Sequence, residues 1–192
     1  MKRTTLIAAC IAFVVPSVFA QAQNFAGFSL GANVEFTKTS TDAAALGSDS
    51  GNSTGLGLQG QYSFALAPQF VMGVGLTLST GNHKTSDASS LLGENYTKNN
   101  TSFDVIPGFA ISNSLLAFGK ISALNAKLED SAGTTSTSLS GIGYGIGVRS
   151  MIDKNMFIQA GYDSNKYNDF TIGATTFKTT STVFSLGAGY KF

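Results

Sequence analysis

Few side chains in this sequence are equipped for chemistry. There is one histidine, His83, beside Lys84, and one cysteine, Cys10, near the N-terminus. A lone histidine with no cysteine partner cannot assemble the usual zinc ligand sets, so no metal site is expected. A hydrolase would need a histidine paired with an acid or a serine on a firm scaffold. His83 lies instead in a stretch rich in Ser, Thr and Asn, so no catalytic residue is expected and the chain is read as a non-enzyme. Gly55-Leu56-Gly57-Leu58-Gln59-Gly60 satisfies G-x-G-x-x-G literally. A dinucleotide site needs a strand before that motif and a helix after it. Here a polar stretch precedes it and an apolar/polar alternation runs straight through, so no cofactor is expected. Asn52-Ser53-Thr54 and Asn95-Tyr96-Thr97 match the glycosylation triplet and are read as incidental. What remains is a set of isolated charges among glycine and apolar residues, above all Glu35, Asp104, Lys120 and Arg149. Their chemistry is ion pairing, and it depends on which elements carry them.

The first element is not part of the fold. Met1-Lys2-Arg3 is basic, Leu6 to Val15 is apolar, and Val18-Phe19-Ala20 follows Pro16-Ser17. These are the parts of a secretory signal peptide, too short for a membrane-spanning helix. Residues 1–20 are therefore read as a signal peptide cleaved between Ala20 and Gln21, and 21–192 as a single domain. Ile7-Ala8-Ala9-Cys10 resembles a lipidation box, but cleavage there would leave an apolar stretch on the mature chain, and Cys10 is assigned to the signal peptide. Without Lys2 and Arg3, the 12 basic and 11 acidic residues become 10 and 11, a net charge of −1. That balance offers nucleic acid no electrostatic footing.

The full sequence has 22 Gly and 15 Phe against 3 Pro, and only 12% of it is charged. Its apolar residues alternate. Phe28, Leu30, Ala32, Val34 and Phe36 are interleaved with Gly27, Ser29, Gly31, Asn33 and Glu35. The same period of two runs through Leu56–Leu66 and Phe70–Leu78, and again around Phe103–Ile111, Ala117–Ala123, Ile142–Val148, Met156–Tyr162 and Phe184–Phe192. Period two means a strand with one apolar face. The opposite face holds glycine, serine and glutamine, the inversion expected when large groups face lipid and small or polar ones face a lumen. Eight such runs predict an all-β, eight-stranded antiparallel transmembrane barrel with up-and-down topology.

The connections agree. Turns are short at Ala67-Pro68-Gln69, near Asn113 and at Asp153-Lys154-Asn155, whereas links at about 38–54, 80–100, 125–138 and 164–180 are long and polar. Short turns on one side and long loops on the other are the pattern of outer-membrane barrels, with the short turns periplasmic. Phe28, Phe64, Phe70, Phe109 and Tyr190 fall near one set of strand ends and Phe36, Phe103 and Tyr162 near the other, as two interfacial belts.

The whole domain resembles the small outer-membrane β-barrel proteins of the OmpA-barrel, OmpX and opacity-protein type. The resemblance is most specific at Ser185-Leu186-Gly187-Ala188-Gly189-Tyr190-Lys191-Phe192, which looks like the terminal signal of that family. Gly141–Arg149 and Phe118-Gly119-Lys120-Ile121 resemble its sixth and fifth strands. The resemblance implies that Gly187, Tyr190 and Phe192 are read by the barrel-assembly machinery, and that the protein sits in the bacterial outer membrane among lipid and lipopolysaccharide. Larger relatives carry a peptidoglycan-binding domain after the barrel, and no such tether is expected here.

By parity Glu35, Asp104, Lys120, Arg149, Asp163 and Lys191 face the lumen. An eight-stranded barrel is filled by its own side chains, and unpaired buried charges are costly. A network of Glu35, Asp104, Lys120 and Arg149 is therefore expected to plug the barrel, with Asp104 diagonal to Lys120 across the Asn113 hairpin. The function that fits a plugged barrel is a structural or surface-interaction, adhesin-like role, with host or cell-surface ligands met by the loops. A narrow, low-conductance pore is the alternative, and a barrel-type enzyme acting on lipid or peptide is the remote one.

Overall fold

The computed structural model describes residues 21–43, 47–80, 83–84, 95–130, 136–172 and 175–192. Among them the alternating segments form ten strands: β1 (Gly27–Ala43), β2 (Gly47–Ala65), β3 (Phe70–Thr80), β4 (His83–Lys84), β5 (Asn95–Ala110), β6 (Leu115–Asp130), β7 (Ser136–Met151), β8 (Met156–Tyr167), β9 (Phe170–Ile172) and β10 (Thr175–Lys191). Eight of them, β1, β2, β3, β5, β6, β7, β8 and β10, pair antiparallel in chain order, and β1 pairs with β10 from Ser29↔Lys191 to Ala43↔Phe177 to close the ring. The two short strands decorate hairpins, β4 against β5 and β9 against β10.

The register sets the dimensions. From Phe28 the cross-strand partners run through Tyr62, Val74, Val105, Ile121, Tyr144, Ser164 and Thr182, and return to β1 at Lys38, ten residues beyond the start. A stagger of ten over eight strands corresponds to a tilt of about 43° and a backbone radius of about 8 Å. A tube that narrow is filled by side chains. The rise from Phe28 to Phe36 along the axis is about 20 Å, close to the apolar band of a membrane barrel once ring width is added.

The burial pattern is inside-out. Phe28, Leu30, Val34 and Phe36 are exposed on the outer wall, as are Leu56, Leu58, Leu76, Ile146 and Leu186. Ser29, Asn33, Glu35, Gln61, Asp104 and Arg149 are buried. The outward face of β6 carries Ala117, Gly119, Ile121 and Ala123, and Ala117 and Gly119 lie in a shallow apolar groove flanked by Phe109 and Ile146.

Two expectations need correction. Where described, the long polar links are largely strand rather than loop: β1 runs to Ala43 and β2 starts at Gly47, β5 starts at Asn95, β6 and β7 reach Asp130 and Ser136, and β9 lies between β8 and β10. Threonine and serine pair well in extended structure. Above the apolar band both faces are polar, so the alternation that reveals a strand vanishes there. The second correction concerns 21–26, which had no assigned structure. These residues make a single helical turn that packs into the short-turn end of the barrel.

Candidate functional site

Among the described residues, charged side chains converge in the lumen, and they lie in layers. Lowest is an amide layer centred on Arg149 of β7. Its Nη2 donates to Gln61 Oε1 at 3.0 Å on β2, and Nε and Nη2 donate to Gln159 Oε1 at 3.1 and 2.8 Å on β8. Gln159 Nε2 continues to Asn33 Oδ1 and Gln59 Oε1, and Gln61 Nε2 to Ser63 Oγ. The guanidinium also lies 4.2 Å from the centre of the Phe157 ring, a cation–π contact in a desolvated setting. A single network thus ties β1, β2, β7 and β8 together across the tube.

Above it is an acidic layer. Asp104 of β5, with no solvent exposure, accepts hydrogen bonds from Thr77 Oγ1 and Ser122 Oγ, both at 2.6 Å. Lys120 Nζ donates to Asp163 Oδ2 at 2.9 Å. Glu35 on β1 is buried beside Ser79.

All four residues expected in the network face the lumen, but they pair differently than the sequence suggested. Asp104 stands directly opposite Ser122 in the β5–β6 register, so the neighbouring hydroxyls satisfy it while Lys120 reaches to β8 instead. Arg149 has neutral amide partners and, among the described residues, no carboxylate. The partners missed from sequence are Gln61, Gln159, Asn33, Thr77, Ser122 and Phe157. Parity does put Gln59 and Gln61 on the lumenal face, which was the available signal.

Both ends of the lumen narrow to apolar groups. At the short-turn end Ala22 and Phe25 are buried against Val71, Ala110 and Leu116. Ala22 N donates to Pro68 O at 3.1 Å, and Asn24 Nδ2 to Asn113 O at 3.0 Å, tying this cap to two of the turns. The cap joins β1 at Gly27, whose φ of +114° is one L side chains rarely adopt. At the long-hairpin end Ala126, Leu139 and Tyr167 form a second buried cluster backed by Leu124.

Lumenal glycines are the seats for this filling. Phe118 lies against Gly147, its direct partner on β7, and Phe157 against Gly189 of β10. Glu35 lies over Gly57, Asp163 over Gly145 and Asn33 over Gly187. The G-x-G-x-x-G run is continuous β2 strand, so its glycines serve packing.

The expected assembly residues lie along the closing edge. Gly187 is lumenal, and Tyr190 and Phe192 point outward with their rings 5.0 Å apart edge to face. Phe192 N bonds Phe28 O at 2.8 Å. Gln21 begins the described cap, whereas Ala20 and Cys10 lie outside the described residues, as does the side chain of His83. Among the described residues no three His, Cys, Asp or Glu groups converge as a metal cluster.

Known structures share this architecture. The attachment invasion locus protein Ail of Yersinia pestis is similar over 87% of this chain and 99% of its own, at 19% identity and a TM-score of 0.53. Neisserial surface protein A covers 87% and 98% at 17% identity and 0.53. The outer-membrane protein OprG of Pseudomonas aeruginosa covers 87% and 96% at 19% identity and 0.51. At these identities the likeness is one of fold. No curated protein matches the chain in sequence. The family profile described as outer membrane protein beta-barrel domain matches residues 6–192. A closed, inside-out, eight-stranded antiparallel meander and that match together place the chain: it belongs to the outer membrane protein beta-barrel domain family.

Proposed function

We propose that this outer-membrane barrel is closed to solutes and acts through the long hairpins at its extracellular end, in a structural or surface-interaction role. The observation that carries this reading is the Arg149–Gln61 hydrogen bond across the lumen, within an amide layer bounded by the 21–26 cap. On this reading residues 1–20 are a signal peptide removed after Ala20, Gln21 becomes the first residue of the cap, and the short turns are periplasmic. Gly187, Tyr190 and Phe192 present the last strand to the assembly machinery, and the outer wall meets lipid and lipopolysaccharide.

The hairpins set the ligand class. A structure of Ail holds the heparin analogue sucrose octasulfate. In this chain Lys38, Lys84, Lys98, Lys127, Lys166 and Lys178 are balanced by Asp42, Asp49, Asp87, Glu94, Glu129, Asp130 and Asp169. That balance supplies no basic field for a polyanion, so host or cell-surface ligands are met by neutral Ser, Thr and Asn groups. The test is a barrel whose hairpins are shortened to the edge of the apolar band, expressed beside the intact protein. Loss of cell adhesion or of envelope integrity with normal barrel insertion supports the proposal. Unchanged adhesion and integrity contradict it. A narrow pore would require a continuous polar path past both apolar ends, and discrete conductance steps would favour it.

A further inference from the structure

Between the acidic layer and the extracellular apolar cluster lies a cavity of about 60 Å³ lined mainly by oxygen-bearing side chains. By this measure a water needs about 10–15 Å³, so there is room for a partly hydrated ion. Glu35 lines it, buried, with no cation at ion-pair distance among the described residues. Asp163 also lines it but already holds Lys120. With Asp104 just below, this part of the lumen sets three carboxylates against one ammonium. A second, independent feature points into the same space. Thr37 is only 6% exposed, and its Oγ1 has no hydrogen-bond partner. Asn100 Oδ1, on the cavity wall, is likewise unpartnered.

Buried polar atoms without partners are costly, and each needs a reason. A hard cation supplies one for Thr37 Oγ1 and Asn100 Oδ1 and a countercharge for Glu35, which has Ser79 as its hydrogen-bond partner, since carboxylate, hydroxyl and amide oxygens are the donors such ions take. The three carboxylates do not converge on one point, and among the described residues no three His, Cys, Asp or Glu groups could hold a metal between them. That argues against zinc and for an ion that keeps some of its water. Glu35 and Asp163 against Lys120 leave one net negative charge on the cavity wall, with Asp104 just below it, and that excess favours a cation. We propose that this cavity is a calcium-class cation site, with Glu35 as its charged ligand and Thr37 Oγ1 and Asn100 Oδ1 as neutral ligands. The inference does not depend on what the hairpins bind.

Terbium(III) serves as the probe, because Tyr167 is buried on the cavity wall and can sensitise it. The refolded barrel is titrated with Tb³⁺ under tyrosine excitation and then competed with Ca²⁺, with folding of every variant checked by heat-modifiable migration. The expected result is sensitised emission that Ca²⁺ reverses and equimolar Na⁺ does not. Glu35→Gln raises the half-saturating concentration about tenfold, the loss of one charged ligand, and Thr37→Val raises it by a smaller factor. Tyr167→Phe loses the emission but keeps a Ca²⁺-dependent rise in melting temperature. Unchanged emission in folded Glu35→Gln and Tyr167→Phe would put the ion on the hairpins and overturn the proposal. So would a folded wild type with neither sensitised emission nor a Ca²⁺-dependent melting shift, which would leave a water-filled cavity.

Discussion

Arg149 and Gln61 stand on opposite walls of the barrel, β7 and β2, and their side chains meet in the middle at 3.0 Å. The contact turns a sheet closed on itself into a cross-braced tube. It also leaves a buried guanidinium satisfied by amide dipoles and an aromatic face, an arrangement that works because Arg presents several donors in one plane. Arg149→Ala removes the donor to both glutamines and the Phe157 contact. Unfolding in urea from lipid vesicles is expected to show a loss of about 2–4 kcal/mol. Arg149→Lys should recover only part of it, since an ammonium lacks the planar fork.

Lys120 and Asp163 form the ion pair of the acidic layer, with side chains 18% and 10% exposed. A double-mutant cycle with Lys120→Met and Asp163→Asn should return a coupling of about 1–3 kcal/mol. The cycle of Lys120→Met with Asp104→Asn should return less than about 0.5 kcal/mol, because Asp104 bonds hydroxyls rather than the ammonium. Equal couplings in the two cycles would contradict the observed pairing.

Glycine substitutions should separate two kinds of seat. A Cβ at Gly147 would meet the Phe118 ring and, at 2.6 Å, the carbonyl oxygen of Ala160. Gly147→Ala is expected to destabilise by about 1–3 kcal/mol, with incomplete rescue by Phe118→Leu because the backbone oxygen stays. At Gly57 the three nearest atoms all belong to the Glu35 side chain, whose tip can swing away. Gly57→Ala should cost under about 1 kcal/mol in the same unfolding assay.

The cap gives a third test. Phe25 is 2% exposed in the short-turn cluster, so Phe25→Ala should cost about 3–5 kcal/mol if the cap stays docked and the cavity remains. If the cap instead undocks, the cost is smaller and residues 21–26 become open to protease from the short-turn side. Gly27→Ala should favour that second outcome, because the +114° φ at the junction is strained for alanine.

Strand existence and facing were legible in the sequence, because Phe28–Phe36 and its counterparts alternate where one face meets lipid and the other the lumen. Strand length was not. Thr37, Thr39 and Thr41 continue β1 above the apolar band, where no hydrophobic contrast marks the pleat. Lumenal membership of Glu35, Asp104, Lys120 and Arg149 followed from parity alone. Their partners did not, because a stagger of ten residues brings β6 to β8 and β7 to β2 across a tube about 8 Å in radius, a relation no local spacing encodes. The 21–26 cap was invisible for a different reason. A single turn has no period to detect, and its burial exists only once the barrel end is built.

Ion conductance of the refolded 21–192 barrel in a planar bilayer at high salt tests the closed lumen most directly. Wild type should insert and remain electrically silent, and so should Arg149→Ala combined with deletion of 21–25, because the Ala126, Leu139 and Tyr167 cluster still closes the other end. Reproducible discrete steps from the intact wild-type barrel would mean that the amide layer and the two apolar ends do not block the lumen, and the closed-barrel reading would give way to a narrow pore.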